Sequence, residues 1–331
     1  MMSNVVLEGT PPRADTAKAR LADYLAIARF DHAAKHIFIV PGMALAFLLR
    51  GVRTDRLIES IVLGCLAALC IASANYVINE WLDRDFDRHH PTKSARRAVQ
   101  RVMSGRLVGL EWIGFVALGL GCAWIASKPM FVIASVFALQ GVVYNVPPLR
   151  SKDKAYLDVI SESINNPLRL MIGWTMVDPT SLPPGSIILA YWLGGAFLMA
   201  AKRLSEYREI AATRGLTILA LYRRSFAGYT DMSLTASCFA YALLSISLLS
   251  IFLIKYRVEY ILTLPIVTAL FVHYLVISAA PGSSAQKPEK LFRERGLMEI
   301  VATLCIVGAV ATFVDMPALS GLAAQHFIGI P

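Results

Sequence analysis

The sequence predicts an all-α, polytopic membrane protein with nine transmembrane helices and a cytoplasmic N-terminus. Three observations lead there. Of 331 residues, 56% are hydrophobic and only 17% charged, and mean hydropathy is +0.57. Soluble domains run nearer half apolar and a quarter charged. The apolar residues gather in runs of about 20, the length of helix that crosses a ~30 Å hydrocarbon layer. Lys and Arg concentrate in alternate loops between those runs. Together these exclude a soluble enzyme, a disordered chain and a disulfide-built secreted scaffold. The net charge of +9 would suggest nucleic acid in a soluble protein. Here membrane orientation explains it, and no nucleic-acid partner is expected. The five cysteines, Cys65, Cys70, Cys122, Cys238 and Cys305, lie scattered in apolar segments. They form no C-x-x-C pair, so neither zinc nor a disulfide framework is expected.

The nine spans are expected over roughly 36–50, 57–80, 107–126, 130–147, 156–176, 186–203, 233–254, 259–279 and 297–314. A closed β-barrel would need alternating strands of about ten residues. The run Ile61–Ser73 does not alternate, so helices are expected. Residues 1–22 carry Pro11, Pro12 and Asp15 and lack the apolar stretch of a signal peptide. Residues 1–23 therefore read as a cytoplasmic tail, 24–314 as one transmembrane catalytic domain and 315–331 as a short C-terminal tail.

Charge sets the orientation. The N-terminal segment and the loops after spans two, four, six and eight hold 25 Lys and Arg. The alternate loops hold six: Arg50, Arg53, Arg56, Lys128, Lys255 and Arg257. The positive-inside rule places the first set in the cytoplasm. The expected location is the inner (cytoplasmic) membrane, with loops 83–106, 202–232 and 280–296 and the active site facing the cytoplasm.

Span two ends in a polar ladder. Asn75, Asn79, Asp83 and Asp87 stand four apart, which stacks them on one helix face. Carboxylates one turn apart repel unless a cation sits among them. Oxygen donors at this density suit Mg²⁺, which keeps some waters and bridges carboxylates to phosphate oxygens. Asn75 and Asn79 also run into the apolar segment, where polar groups are costly and mark function. A solvated helix end is the plainer explanation for a single Asp, and it does not cover four aligned residues. The next loop holds Lys93, Arg96, Arg97 and Arg101. Beside a Mg²⁺–carboxylate site, cations clamp phosphate oxygens; alone, the loop is an ordinary positive-inside loop. His89 and His90 are weaker ligand candidates, because adjacent histidines diverge and Mg²⁺ prefers oxygen.

A second polar cluster follows span four. Pro147 and Pro148 end that helix after Tyr144, and Arg150, Lys152 and Lys154 follow. Asp158, Glu162, Asn166 and Arg169 then recur at i, i+4, i+8 and i+11, a face that must avoid lipid. Glu162 and Arg169 are also readable as a structural pair inside the bundle. Pro167 removes a backbone donor, so a kink is expected there. Lys202, Arg203 and Glu206 close span six, and Arg223, Arg224, Arg293 and Arg295 sit in later loops. Each set alone reads as a solvated basic loop. Together they put cations on the face where the Asp ladder emerges.

These residues resemble the UbiA superfamily of intramembrane prenyltransferases: N-x-x-x-D-x-x-x-D at the end of the second of nine helices, and a second polar motif after span four. Within it, the chain is similar to the decaprenyl-phosphate phosphoribosyltransferase branch, which also includes a rhizobial nodulation protein. That likeness lies in Asn79-Glu80-x-x-Asp83-x-x-x-Asp87-Arg88, His90-Pro91-Thr92-Lys93, and Tyr144 with Leu149-Arg150. It also lies in Asp158 with Arg169, Lys202-Arg203-x-x-Glu206 and Pro288-Glu289. It covers about residues 24–314. The chain departs from the branch in three places. Glu80 stands where an Asp is usual, Lys93 is not followed by R-P-x-x-x-G, and two prolines and an arginine follow Tyr144.

The resemblance implies Mg²⁺-dependent transfer of 5-phosphoribose from phosphoribosyl pyrophosphate to a polyprenyl phosphate, giving a precursor of a lipid-linked D-arabinose donor. It implies catalytic Asp83, Asp87 and Asp158, with Asn79, Asp83 and Asp87 as metal ligands. Lys93, Arg96, Tyr144, Arg150, Lys202 and Arg203 would bind donor phosphates. Glu162, Asn166 and Arg169 would meet the lipid phosphate or line the bundle interior. Three rival readings share these features: UbiA-type prenyl transfer from a prenyl diphosphate to an aromatic acceptor, a cation-coupled transporter with a loose internal repeat, and a non-catalytic scaffold. The sequence is compatible with a homo-oligomer and does not set its size.

Overall fold

The computed structural model describes residues 17–88, 93–280, 283, 291, 293–319 and 321. Among them every regular element is helical, and the one β pairing is an isolated bridge between Lys18 and Val102. In chain order the α-helices are α1 (Leu21–Ile27), α2 (Val40–Arg50), α3 (Leu57–Asp87), α4 (Arg97–Gln100), α5 (Gly105–Ala126) and α6 (Lys128–Asn145). Then come α7 (Leu157–Ser163), α8 (Asn165–Val177), α9 (Gly185–Arg214), α10 (Leu219–Tyr222), α11 (Asp231–Tyr256), α12 (Leu264–Ala279) and α13 (Arg295–Phe313). A ten-residue 3₁₀ segment, Phe30–Ile39, leads into α2.

Six stretches are long and apolar enough to cross a membrane unaided: α3, α5, α9, α11, Val258–Ala279 and α13. Leu21–Ala33 and Lys35–Arg50, bent by 49°, make a seventh if they form one span. The chain is a multi-pass membrane protein. The two remaining expected spans are helical but less simple. The one expected at 130–147 is α6, whose last turns carry the polar Gln140 and Asn145, both buried. The one expected at 156–176 is broken at Ile164 into α7 and α8. Pro167 has no N–H to continue the ladder. The carbonyls freed by the break are satisfied from neighbouring helices. Trp192 Nε1 donates to Ile160 O at 3.0 Å, and Gln140 Nε2 donates to Ser161 O.

Two helices outrun their expected ends. Helix α3 continues past residue 80 to Asp87, so the Asn/Asp ladder lies on one unbroken helix. Helix α9 continues past 203 to Arg214, where Gly215 at φ 83° stops it. Lys202, Arg203 and Glu206 therefore sit on a helix, and the following loop begins at Gly215.

The core falls into two half-bundles. Ile71 of α3, Ala123 of α5, Phe137 of α6 and Ile172 of α8 pack in the first. Phe197 and Leu204 of α9, Leu234 of α11 and Tyr274 of α12 pack in the second. Glycines allow the closest contacts of the first half. A Cβ on Gly42 would lie 1.9 Å from Leu170 O, and one on Gly173 would lie 2.1 Å from Ile39 O. That draws the 3₁₀ segment and α2 tightly against α8, as small residues do between membrane helices. Outward-facing side chains such as Leu110, Leu139, Phe239 and Val276 are exposed and suit lipid.

Candidate active site

A cavity of about 370 Å³ lies between the two half-bundles, at the end where α3, α6 and α9 turn polar. Asn79, Asp83, Asp87, Lys93, Arg96, Tyr144, Arg150, Glu162, Asn166, Arg169, Lys202 and Arg203 all line it. Asp158 does not line it and has no exposed surface. His89, His90, Pro91, Thr92, Pro288 and Glu289 lie outside the described residues.

Helix α3 presents its ladder along one wall. Asn75 Nδ2 donates to Phe137 O at 3.2 Å. Gly141 on α6 makes room for that side chain, since a Cβ there would meet Asn75 Oδ1 at 1.8 Å. Asn79 Nδ2 donates to Asn145 Oδ1 at 2.6 Å, which spends the amide nitrogen and leaves its oxygen for a cation. Asp83 Oδ1 accepts from Arg150 Nη2 at 2.8 Å and lies 2.6 Å from Lys152 Nζ. Asp87 accepts from Arg96 Nη1 at 2.6 Å.

The loop after α6 aims its cations inward by an unusual backbone. Arg150 sits at φ 29°, a conformation costing on the order of 1–3 kcal/mol. Its guanidinium is held by Asp83, by Asp153 at 2.9 Å and by Asn145 O at 3.4 Å. Burial, opposed by the Asp83 charge, lowers the Lys152 ammonium to about 8. Burial, helped by the Arg223 charge, lowers Lys93 to about 8.

The opposite wall is an ion network centred on Asp158. Its carboxylate accepts from Tyr229 OH at 2.8 Å, Ser225 Oγ at 3.0 Å, Arg203 Nε at 3.2 Å and Arg223 Nε at 3.4 Å. Arg203 also donates to Glu162 at 2.7 Å and Glu206 at 3.2 Å. Tyr144 OH donates to Glu162 at 2.8 Å and accepts from Arg223 at 3.3 Å. Arg203 is thus committed to three carboxylates, and Asp158 holds two arginines in place. Asp158 thus lies behind the cavity surface and joins Arg203 to Arg223.

Sequence reasoning missed one wall. Arg29, His32, Lys35 and Phe38 all face the cavity. They stand three apart, the spacing that eclipses side chains on a 3₁₀ helix. The signal was there, but a 3.6-residue period hides it.

Among the described residues no group of three or more His, Cys, Asp or Glu side chains gathers as a metal cage. The Asn79–Asp83–Asp87 wall still fits Mg²⁺. Its donors are all oxygen, two of them carboxylates facing the cavity, and Mg²⁺ takes its other ligands from water and substrate phosphate.

Comparison with known proteins agrees with this architecture. The model of the UbiA prenyltransferase family matches residues 37–295. A protoheme IX farnesyltransferase of Geobacillus thermodenitrificans is 30% identical over 176 residues, 50% of this chain and 55% of that protein. Nodulation protein NoeC of Azorhizobium caulinodans is 30% identical over 166 residues, 49% of this chain and 52% of its own. A decaprenyl-phosphate phosphoribosyltransferase of Mycobacterium tuberculosis is 26% identical over 202 residues, 58% of this chain and 61% of its own. The chain spans about half the length of the first two. The solved structure of a UbiA homolog from Archaeoglobus fulgidus bound to GPP and Mg²⁺ shares the fold. Its TM-score is 0.64 at 22% identity, over 91% of this chain and 99% of that one.

Proposed function

We infer the reaction from one premise: this chain belongs to the UbiA prenyltransferase family. Its reaction is transfer of 5-phosphoribose from phosphoribosyl pyrophosphate to a polyprenyl phosphate. One observation carries this reading. The cavity is lined by eleven Lys and Arg against six Asp and Glu. A surplus of cations on facing walls suits a small donor with phosphate at both ends. A prenyl diphosphate has one charged end and a long apolar tail.

The ribose C1–oxygen bond to pyrophosphate breaks, and an oxygen of the lipid phosphate bonds to C1. The lipid phosphate is already ionised at neutral pH, so no base is required. Mg²⁺ held by Asn79, Asp83 and Asp87 would supply charge that offsets the leaving pyrophosphate. Arg96, Arg150 and Lys152 stand beside those carboxylates, placed to hold pyrophosphate oxygens. Lys93 and Lys202, on other elements of the same cavity, would hold the 5-phosphate. Arg169 faces the lipid phosphate. The product is a precursor of a lipid-linked D-arabinose donor.

The test is incubation of purified protein, with Mg²⁺, polyprenyl phosphate and radiolabelled phosphoribosyl pyrophosphate. Label entering the lipid phase supports the reading. No transfer, with a prenyl diphosphate used instead, overturns it. That second reading is favoured by the farnesyltransferase relative and the GPP-bound neighbour.

The membrane is the inner one, the topology nine-span and the cavity cytoplasmic, on the 25-to-6 charge asymmetry. With Cys65 and Cys305 replaced by serine, an impermeant maleimide outside intact cells should label Asp55→Cys and miss Arg97→Cys. The reverse pattern overturns the orientation.

A further inference from the structure

Most of the cavity's cations are already paired. Arg96, Arg150, Lys152, Arg203, Arg223 and Arg224 each form an ion pair with a carboxylate. Lys35 and Arg169 form none among the described residues. Arg169 is 6% exposed, stacks 5.2 Å over the Phe137 ring, and its Nε has no hydrogen-bond partner. The nearby Asn165 Oδ1 and His36 Nδ1 are also buried without partners. These groups share one region. Lys35, Asn165 and Arg169 line the same cavity, and the Lys35 ammonium lies 5.3 Å over the ring of Tyr76, which lines it too. The glycine contacts between Gly42 and Leu170, and between Gly173 and Ile39, clamp the 3₁₀ segment carrying Lys35 against the helix carrying Arg169.

A buried cation without a counter-ion is costly, and a buried guanidinium nitrogen such as Arg169 Nε rarely goes unsatisfied. A bound anion resolves both. The flank of this region is apolar: Phe38 follows Lys35 by one 3₁₀ turn, and Leu198 precedes Lys202 by one α-turn, both lining the cavity. A ligand with a charged head and an apolar tail fits both surfaces.

We propose that Lys35 and Arg169 form a second anion seat, separate from the Asp83–Asp87 wall, that takes the phosphate monoester head of an isoprenoid lipid without metal. The proposal rests on the reaction inferred above only in calling that lipid the acceptor.

The experiment uses the full chain in nanodiscs with EDTA and farnesyl phosphate as probe, with farnesol and inorganic phosphate alongside. Wild type should bind farnesyl phosphate and not farnesol. Lys35→Ala and Arg169→Gln should each weaken binding about tenfold to a hundredfold, the loss expected for one charge-assisted contact. Arg169→Lys, which keeps the charge, should lose less, and Arg208→Ala, outside the cavity, should lose nothing. Inorganic phosphate binding as tightly as farnesyl phosphate would keep the seat and make its ligand free phosphate. Binding that disappears with EDTA, or survives both Lys35→Ala and Arg169→Gln, overturns the seat. Lys35-dependent binding in a protein that transfers no phosphoribose would keep the seat and sink the reaction. Phosphoribosyl transfer with an acceptor KM unmoved by Lys35→Ala would do the opposite.

Discussion

Arg150 Nη2 stands 2.8 Å from Asp83 Oδ1, joining the loop after α6 to the acidic wall of α3. The contact does two things. It supplies counter-charge to a carboxylate that faces another, Asp87, one turn away. It also fixes an arginine at φ 29° over the cavity, where it is ready to meet phosphate oxygens. On the proposed reading, in which Asp83 holds metal, this cation would exchange partners when substrate enters.

That exchange makes the carboxylates chemical rather than structural. Asp83→Asn and Asp87→Asn keep an acceptor oxygen for Arg150, Lys152 and Arg96, so folding should survive. Turnover should fall by at least about a hundredfold, the scale of losing a preorganised electrostatic contact. Paired assays of product formation and thermal unfolding in detergent decide it. Near-wild-type turnover in either variant removes the residue from the reaction.

Asp158 should behave in the opposite way. It is fully buried and holds Arg203 and Arg223. Asp158→Ala leaves those guanidiniums short of a partner inside the protein, a loss of about 3–5 kcal/mol. A large drop in unfolding temperature and in folded yield is expected. Arg224→Ala removes an exposed pair with Asp153 and should cost no more than about 1 kcal/mol. If Asp158→Ala melts like wild type yet is inactive, Asp158 acts in the reaction rather than as a support.

Much of this site was legible in the sequence, and the gaps have physical causes. The four-residue spacing of Asn75, Asn79, Asp83 and Asp87 survives as one face because α3 is a single helix. Asp158, Glu162, Asn166 and Arg169 were read as one face too, but the break at Ile164 divides them. Periodicity assumes an unbroken helix, and a proline three residues past the break shows a kink without showing which side chains it separates. Arg203 looked like a free phosphate anchor because spacing reports a face and not a partner. Its three carboxylates come from α7 and from its own helix. Lys35 went unnoticed because its segment follows a three-residue period.

Lys93 should make donor binding depend on pH. Burial and the Arg223 charge bring its ammonium down to about 8, and the side chain lines the cavity. Below that pH it is charged and attracts the donor's phosphate; above it the charge is lost. The donor's own phosphate has its second pKa near ~6, so its titration is almost complete by about pH 7 and adds nothing to the alkaline limb. Donor KM should be flat up to about pH 7.5 and rise roughly tenfold by about pH 9. Stability should move the other way. With the folded pKa below the unfolded value, the unfolded chain binds more protons between about 8 and 10.5, so the Lys93 contribution favours folding as pH rises. Unfolding of the protein therefore cannot mimic the loss of affinity that Lys93 causes. Lys93→Arg keeps its charge and should shrink the alkaline limb to the share of Lys152, which titrates in the same range, and Lys93→Arg combined with Lys152→Arg should remove it. Donor KM measured from pH 6.5 to 9.5 in these proteins, beside their melting curves, is the check. A wild-type profile flat to pH 9.5, or an equal limb in Lys93→Arg, takes Lys93 away from the donor.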